Sequence, residues 1–191
     1  MRIPVIPTII VAAAIAVMIR LGFWQLDRAE EKEALIARAE QSARMSSEVR
    51  YRTPIREDDE LLYRRTSVTC SKVLERNAVA GTSKRGAKGW AHRMTCALAG
   101  GGEAVIDIGF AREPKPVDWN GGKVRGTIAP GGRIVAAMPI AGLEPLARPD
   151  PRDLPNNHLA YVGQWFLFAL TALVIYILAL RRRRRTPASP A

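Results

Sequence analysis

His158, Tyr161 and Trp165 are separated by three and four residues, a spacing that stacks them on one face of a helix. Two kinds of chemistry fit that trio. A neutral imidazole is a common iron ligand, and the aromatic rings can pack against a flat macrocycle, so the face could be a porphyrin site. The same residue types also suit a membrane–water boundary, where Tyr and Trp settle at headgroup level, so the face could equally be an interfacial anchor. One histidine does not choose between them.

The element that carries the trio is apolar and long. From Leu159 to Leu180 there are 22 residues without a charge. As a helix they reach about 33 Å, enough to cross the hydrocarbon of a bilayer. Arg181 to Arg185 then stop the span. A second apolar stretch lies at the other end, with 17 uncharged residues from Ile3 to Ile19 followed by Arg20. Pro4 and Pro7 fall near its start, where a helix tolerates them best. A cleaved signal peptide with Ile9–Met18 as its apolar region is the alternative. The bulky run Ile19-Arg20-Leu21-Gly22-Phe23-Trp24 lacks a small-residue cleavage site and predicts an uncleaved anchor. Asp27 to Ser46 contains no Gly or Pro and is rich in Ala, Glu, Lys and Arg, so the helix should continue out of the membrane. Trp24, Arg28 and Lys32 fall at four-residue steps along it.

Charge sets the expected topology and narrows the function classes. All 18 acidic residues lie between Asp27 and Asp153, together with 22 of the 29 Lys and Arg, so that stretch carries a surplus of only four positive charges. The remaining basic residues, Arg2, Arg20 and the five C-terminal arginines, flank the spans. Five arginines after the second span predict a cytoplasmic C-terminus; two spans then return the N-terminus to the same side and put the middle region outside. A nucleic-acid partner is not expected, because the basic residues follow the membrane edges rather than a folded, aromatic-interleaved surface. The tail Thr186-Pro187-Ala188-Ser189-Pro190-Ala191 reads as disordered.

The middle region reads as short strands between glycine turns. Candidates are Arg64–Val73, Ala78–Ala80, Trp90–Leu98, Ala104–Phe110, Lys123–Ala129 and Ile134–Met138, which together argue a small antiparallel sheet or barrel. Prolines recur from Pro139 to Pro155 and predict an extended return to the membrane. Cys70 and Cys96 either pair, if this region meets an oxidising compartment, or serve as two small apolar strand residues; their spacing decides neither. No nucleophile elbow, phosphate loop or paired-histidine zinc motif is present, so no catalytic residues are assigned and an enzyme is not expected. His92 reads as a structural strand residue, and Asp58, Asp59 and Glu60 as a solvated loop.

Several of these segments carry a resemblance. Leu21-Gly22-Phe23-Trp24-Gln25-Leu26-Asp27-Arg28-Ala29-Glu30-Glu31-Lys32 resembles the Leu-Gly-x-Trp-Gln-x-x-Arg-x-x-x-Lys signature of the surfeit-locus family of cytochrome c oxidase assembly proteins. Pro155-Asn156-Asn157-His158-Leu159-Ala160-Tyr161, with Gln164-Trp165-Phe166, resembles the signature that opens the family's second membrane helix. Gly86-Ala87-Lys88-Gly89-Trp90 is similar to its Gly-x-x-Gly-aromatic turn, and Gly122-Lys123-Val124-Arg125-Gly126 to its Val-x-Gly strand. The chain departs from the family where Ile106-Asp107-Ile108-Gly109-Phe110-Ala111-Arg112 stands for the usual Val-Asn-Arg-Gly-Trp-Val-Pro, and Gly131–Asp153 is shorter than usual.

The resemblance implies an α+β membrane protein, with two transmembrane helices flanking a small antiparallel β-sheet or barrel-like external domain. The expected segments are a first membrane helix over 1–26, an amphipathic continuation over 27–47, an external β-rich domain over 48–157, a second membrane helix over 158–180 and a basic cytoplasmic tail over 181–191. It implies a role in cytochrome c oxidase biogenesis in a bacterial inner membrane, with a periplasmic middle domain, by binding haem A and assisting its insertion into the catalytic subunit. The implied partners are that subunit, the machinery that supplies haem A, and the lipid bilayer. His158 becomes the expected axial ligand and sole metal-binding residue; Trp24, Tyr161 and Trp165 become pocket walls. Arg28 and Lys32 are expected to meet the haem propionates, against the simpler reading of a solvated helix face beside Glu31. The competing function is a constitutive accessory subunit of a haem-copper oxidase or respiratory supercomplex.

Overall fold

The structure, a computed structural model, describes residues 4–185; the C-terminal segment expected to be disordered lies outside the described residues. The chain divides into two compact units, one formed by the residues up to Ala34 with those from Pro155 onward, the other by Leu35–Leu154.

The first unit is helical. α1 runs without interruption over Val5–Arg44. Pro7 falls among the first backbone N–H groups of the helix, which lack intrahelical acceptors anyway, so its missing donor costs little. Arg44 closes the last turn with its cation at the negative end of the helix dipole and Glu40 at 3.7 Å. α2 covers His158–Arg185. The carbonyl of Asn157 accepts from the N–H groups of Ala160 and Tyr161, which sets the helix to begin at His158. Both helices are long and apolar enough to cross a membrane.

The second unit is built around six strands: β1 (Glu48–Val49), β2 (Arg65–Thr82), β3 (Lys88–Leu98), β4 (Glu103–Ala111), β5 (Gly122–Ile128) and β6 (Ile134–Ala136). β2 organises them. Its first part pairs antiparallel with β5, from Arg65 opposite Thr127 to Cys70 opposite Gly122. Its second part pairs antiparallel with β3, from Cys70 opposite Leu98 to Thr82 opposite Lys88. Register shifts after Cys70 and Val73 turn the strand from one partner to the other. The ladder continues from β3 to β4, β6 and β5, and so returns to β2. Ala78–Ala80 is therefore not a separate strand but the end of β2. The sheet also corrects the antiparallel expectation: it is mixed, because β1 runs parallel to β2 and β6 parallel to β4. β6 ends at Ala136, before the expected Met138.

Its core is aliphatic: Val68, Val73, Met94, Ile106, Ile108, Val124 and Ile134 are buried together with both cysteines. Cys70 and Cys96 are joined as a disulfide, with Cα atoms 5.4 Å apart, which resolves the alternative left open by their spacing. Two glycines of the sequence motifs are explained by close approach. A Cβ on Gly89 would lie 2.6 Å from the Phe110 ring, and one on Gly126 would lie 2.4 Å from the Val135 carbonyl oxygen. Asp107, at the main point of departure from the family pattern, is buried and held by Arg93 (2.7 Å) and Arg133 (3.1 Å), so a charge enters the sheet only with its partners. A smaller cluster of Leu62, Tyr63 and Ile128 takes against it Ala39, which lies in the end of α1 that belongs to this same unit. The proline-rich return is extended, pinned by bridges from Phe110 to Glu144 and from Ser83 to Leu146.

Candidate functional site

The site is assembled on the two-helix unit. Along α1 the less exposed residues recur at alternating three- and four-residue steps: Thr8, Val11, Ile15, Met18, Gly22, Gln25, Ala29, Lys32. α2 shows the same rhythm through His158, Val162, Trp165, Ala169, Ala172 and Tyr176. These two rows form the seam of the helix pair, and the small residues Gly22, Ala29 and Ala169 are its most buried positions. Three contacts define the pairing. The hydroxyls of Thr8 and Tyr176 are hydrogen-bonded. The Phe166 ring covers Gly22, where an added Cβ would stand 3.0 Å from Cζ, and meets Phe23 edge-on with centroids 5.5 Å apart. Gln25 Oε1 accepts a hydrogen bond from His158 Nδ1 at 2.8 Å. Advancing along α1 thus moves backward along α2, so the helices are antiparallel.

The seam sorts the residues singled out from the sequence. His158 and Trp165 are half-buried at seam positions; Trp165 packs edge-on against Phe168 at 6.2 Å. Tyr161 turns to the flank and is 49% exposed, so the three-residue face suggested by spacing is split. Tyr161 and Arg28 each precede a seam position by one residue. In an antiparallel pair of right-handed helices those flanks coincide, and Trp24, 45% exposed, lies further out on the same side. The Phe23–Phe166 contact occupies the opposite flank. Arg28 is ion-paired with Glu31 on its own helix. Lys32 is half-buried, two turns past Gln25 and so about 10 Å along the axis from the level of His158.

Gln25 is the residue that sequence reasoning missed as a participant. Its chemistry is bland, and its partner is 133 residues away. The available signal was its spacing, three residues after Gly22 and four before Ala29, on the seam. His92 belongs to the other unit and is 3% exposed. Burial holds its imidazole below the ordinary value, with a hydrogen bond to the Glu113 backbone pulling the other way. Among the described residues no three His, Cys, Asp or Glu side chains cluster as metal ligands.

No curated protein matches the chain. A family model described as the SURF1 family matches residues 12–170, from within α1, through the entire sheet, into α2. With Leu21–Lys32 of α1, the start of α2 and the β-unit all inside that match, the chain belongs to the SURF1 family, which is associated with the assembly of cytochrome c oxidase.

Proposed function

We propose that this protein is a cytochrome c oxidase biogenesis factor that holds haem A at His158 and assists its insertion into the oxidase's catalytic subunit. The observation that carries the reading is the His158–Gln25 hydrogen bond. It occupies Nδ1 and leaves Nε2, which has no hydrogen-bond partner among the described residues, as the available ligand atom. A single imidazole suffices for haem, because the porphyrin brings four nitrogen ligands of its own. The residues around it fit such a group. Trp24 and Tyr161 present exposed rings on one flank, and Trp165 borders them from the seam. Lys32 lies two turns further along α1, where its ammonium would meet a bound haem's carboxylates. Arg28 is committed to Glu31 in this structure, but an exposed ion pair of this kind is worth only about 0–1 kcal/mol, so a propionate can take the guanidinium over.

One protein ligand suits a carrier, since a haem held by two strong ligands is harder to release. When bound, the haem supplies the iron and the redox chemistry; the chain's own residues ligate, flank and orient it. The partners are the catalytic subunit, the haem A supply machinery and the bilayer. The topology read here is the bacterial inner membrane, with both termini cytoplasmic and the middle unit periplasmic. The arginines from Arg181 support it, and so does the Cys70–Cys96 disulfide, which belongs in an oxidising compartment. The closed order of strand pairings is read as a small barrel-like outer domain.

The test is the absorption spectrum of detergent-purified protein from cells that make haem A. Wild type is expected to carry haem bands, and His158→Ala to lose or shift them, with oxidase maturation falling. Unchanged bands and haem content in His158→Ala would refute ligation. Recovery stoichiometric with mature oxidase, rather than with immature forms, would instead identify a permanent subunit.

A further inference from the structure

We infer that Gln25 is a positioning residue that fixes His158 in the Nδ1–H tautomer and thereby keeps Nε2 as the nitrogen offered to iron; this rests on the haem-holding reading of the site. The argument begins with atoms. The oxygen of a glutamine amide carries no proton and can only accept. Gln25 Oε1 stands 2.8 Å from His158 Nδ1, so Nδ1 donates. In a neutral imidazole the second nitrogen then bears the lone pair. An isolated histidine prefers the opposite tautomer, with the proton on Nε2, which has no lone pair available for a metal. The site therefore needs a bias, and Gln25 supplies it.

The amide is held where it can do so. Gln25 is half-buried on the seam, between the buried Gly22 and Ala29. Neither neighbour has a side chain large enough to crowd it. His158 is the first residue of α2, so its ring meets α1 at the end of the seam. Metal-bound histidines generally hand their other ring N–H to an acceptor, which fixes ring orientation as well as tautomer. One net hydrogen bond moves a tautomer ratio by about two- to twelvefold, centred near fivefold.

The inference is tested first without haem. The full-length protein, ¹⁵N-labelled at histidine and reconstituted in nanodiscs, is observed by NMR. His158 is expected to show an unprotonated Nε2 and a protonated Nδ1. Gln25→Leu, which removes the acceptor, is expected to invert that pattern. Gln25→Glu, which restores an oxygen acceptor and checks that the position tolerates substitution, is expected to recover it. Haem-loaded samples then add a readout that a purely structural clasp would not move. The iron–histidine stretching frequency should fall in Gln25→Leu and rise in Gln25→Glu, with haem retention reduced about fivefold in the former. A wild-type His158 protonated at Nε2 overturns the inference, as does a tautomer that Gln25→Leu leaves unchanged. Full haem retention in His158→Ala overturns the reading of the site itself and is distinguishable from either.

Discussion

Replacing Cys70 and Cys96 together with alanine should lower the unfolding temperature of the β-unit by about 10–15 °C. The cysteines are 26 residues apart in sequence, and both are buried in the sheet core. Closing a loop of that length removes chain entropy from the unfolded state worth about 3.5 kcal/mol at room temperature. The unit spans Leu35–Leu154. A domain of that size unfolds with an entropy of about 0.25 kcal/mol per kelvin, so the loss converts to a shift of roughly 14 °C. The assay is thermal unfolding of the full-length protein in detergent, followed by circular dichroism in the β-sheet region, for wild type and the double variant. Thiol labelling of denatured, unreduced wild type provides the control and should find no free thiol. Complete labelling of both cysteines would show that they are not joined. A shift smaller than about 2 °C would refute the entropic reasoning even if they are.

A reporter active only outside the cytoplasm should work when fused at Gly101, in the β3–β4 turn, and fail after Arg185; the reverse pattern would overturn the topology. Changing Arg28 and Lys32 to Gln together should weaken haem retention without altering membrane insertion. Of the single changes Lys32→Gln should cost more, because Arg28 is shared with Glu31; equal retention in all three returns these residues to a solvated face. His92 gives a pH dependence. Burial lowers its pKa in the fold below the ordinary value of 6.5, so the unfolded chain takes up the proton first and stability falls as pH drops through 6.5, until the lower folded value is reached. In His92→Gln, denaturant unfolding between pH 7.5 and 5 should lose part of that slope, and an identical slope would exclude His92 as its source.

The two long helices were legible because their signals are local. Leu159–Leu180 has no charge, and Asp27–Ser46 has no breaker, so composition alone fixes each element. β2 was misread because its signal is not local. The register shifts after Cys70 and Val73, where the strand changes partner, look in sequence like an interruption before Ala78. The parallel pairings of β1 and β6 depend on neighbours far away in the chain and leave no periodic trace. The cysteine pair needed β2 and β3 to be adjacent, which no spacing rule supplies. Of the hydrogen-bonded pair at the candidate site, His158 stood out in the sequence by residue type, but Gln25 did not. The spacing that placed Tyr161 and Trp165 with His158 was right for an isolated helix; packing against α1 then kept Trp165 on the seam and left Tyr161 on the flank.

The double allegiance of β2 also orders the events by which the β-unit is built. Its second part meets β3 across a tight turn, with Thr82 opposite Lys88, whereas its first part must wait for β5, with Arg65 opposite Thr127. Loop-closure cost and slow long-range pairing make the β2–β3–β4 meander the natural nucleus and the β2–β5 ladder a late addition. During synthesis the first part of β2 leaves the ribosome some 60 residues before its partner, and its unpaired edge is exposed for that interval. Substitutions along Arg65–Thr69 would then act chiefly on how fast the finished unit opens, and those along Ala78–Thr82 on how fast it forms.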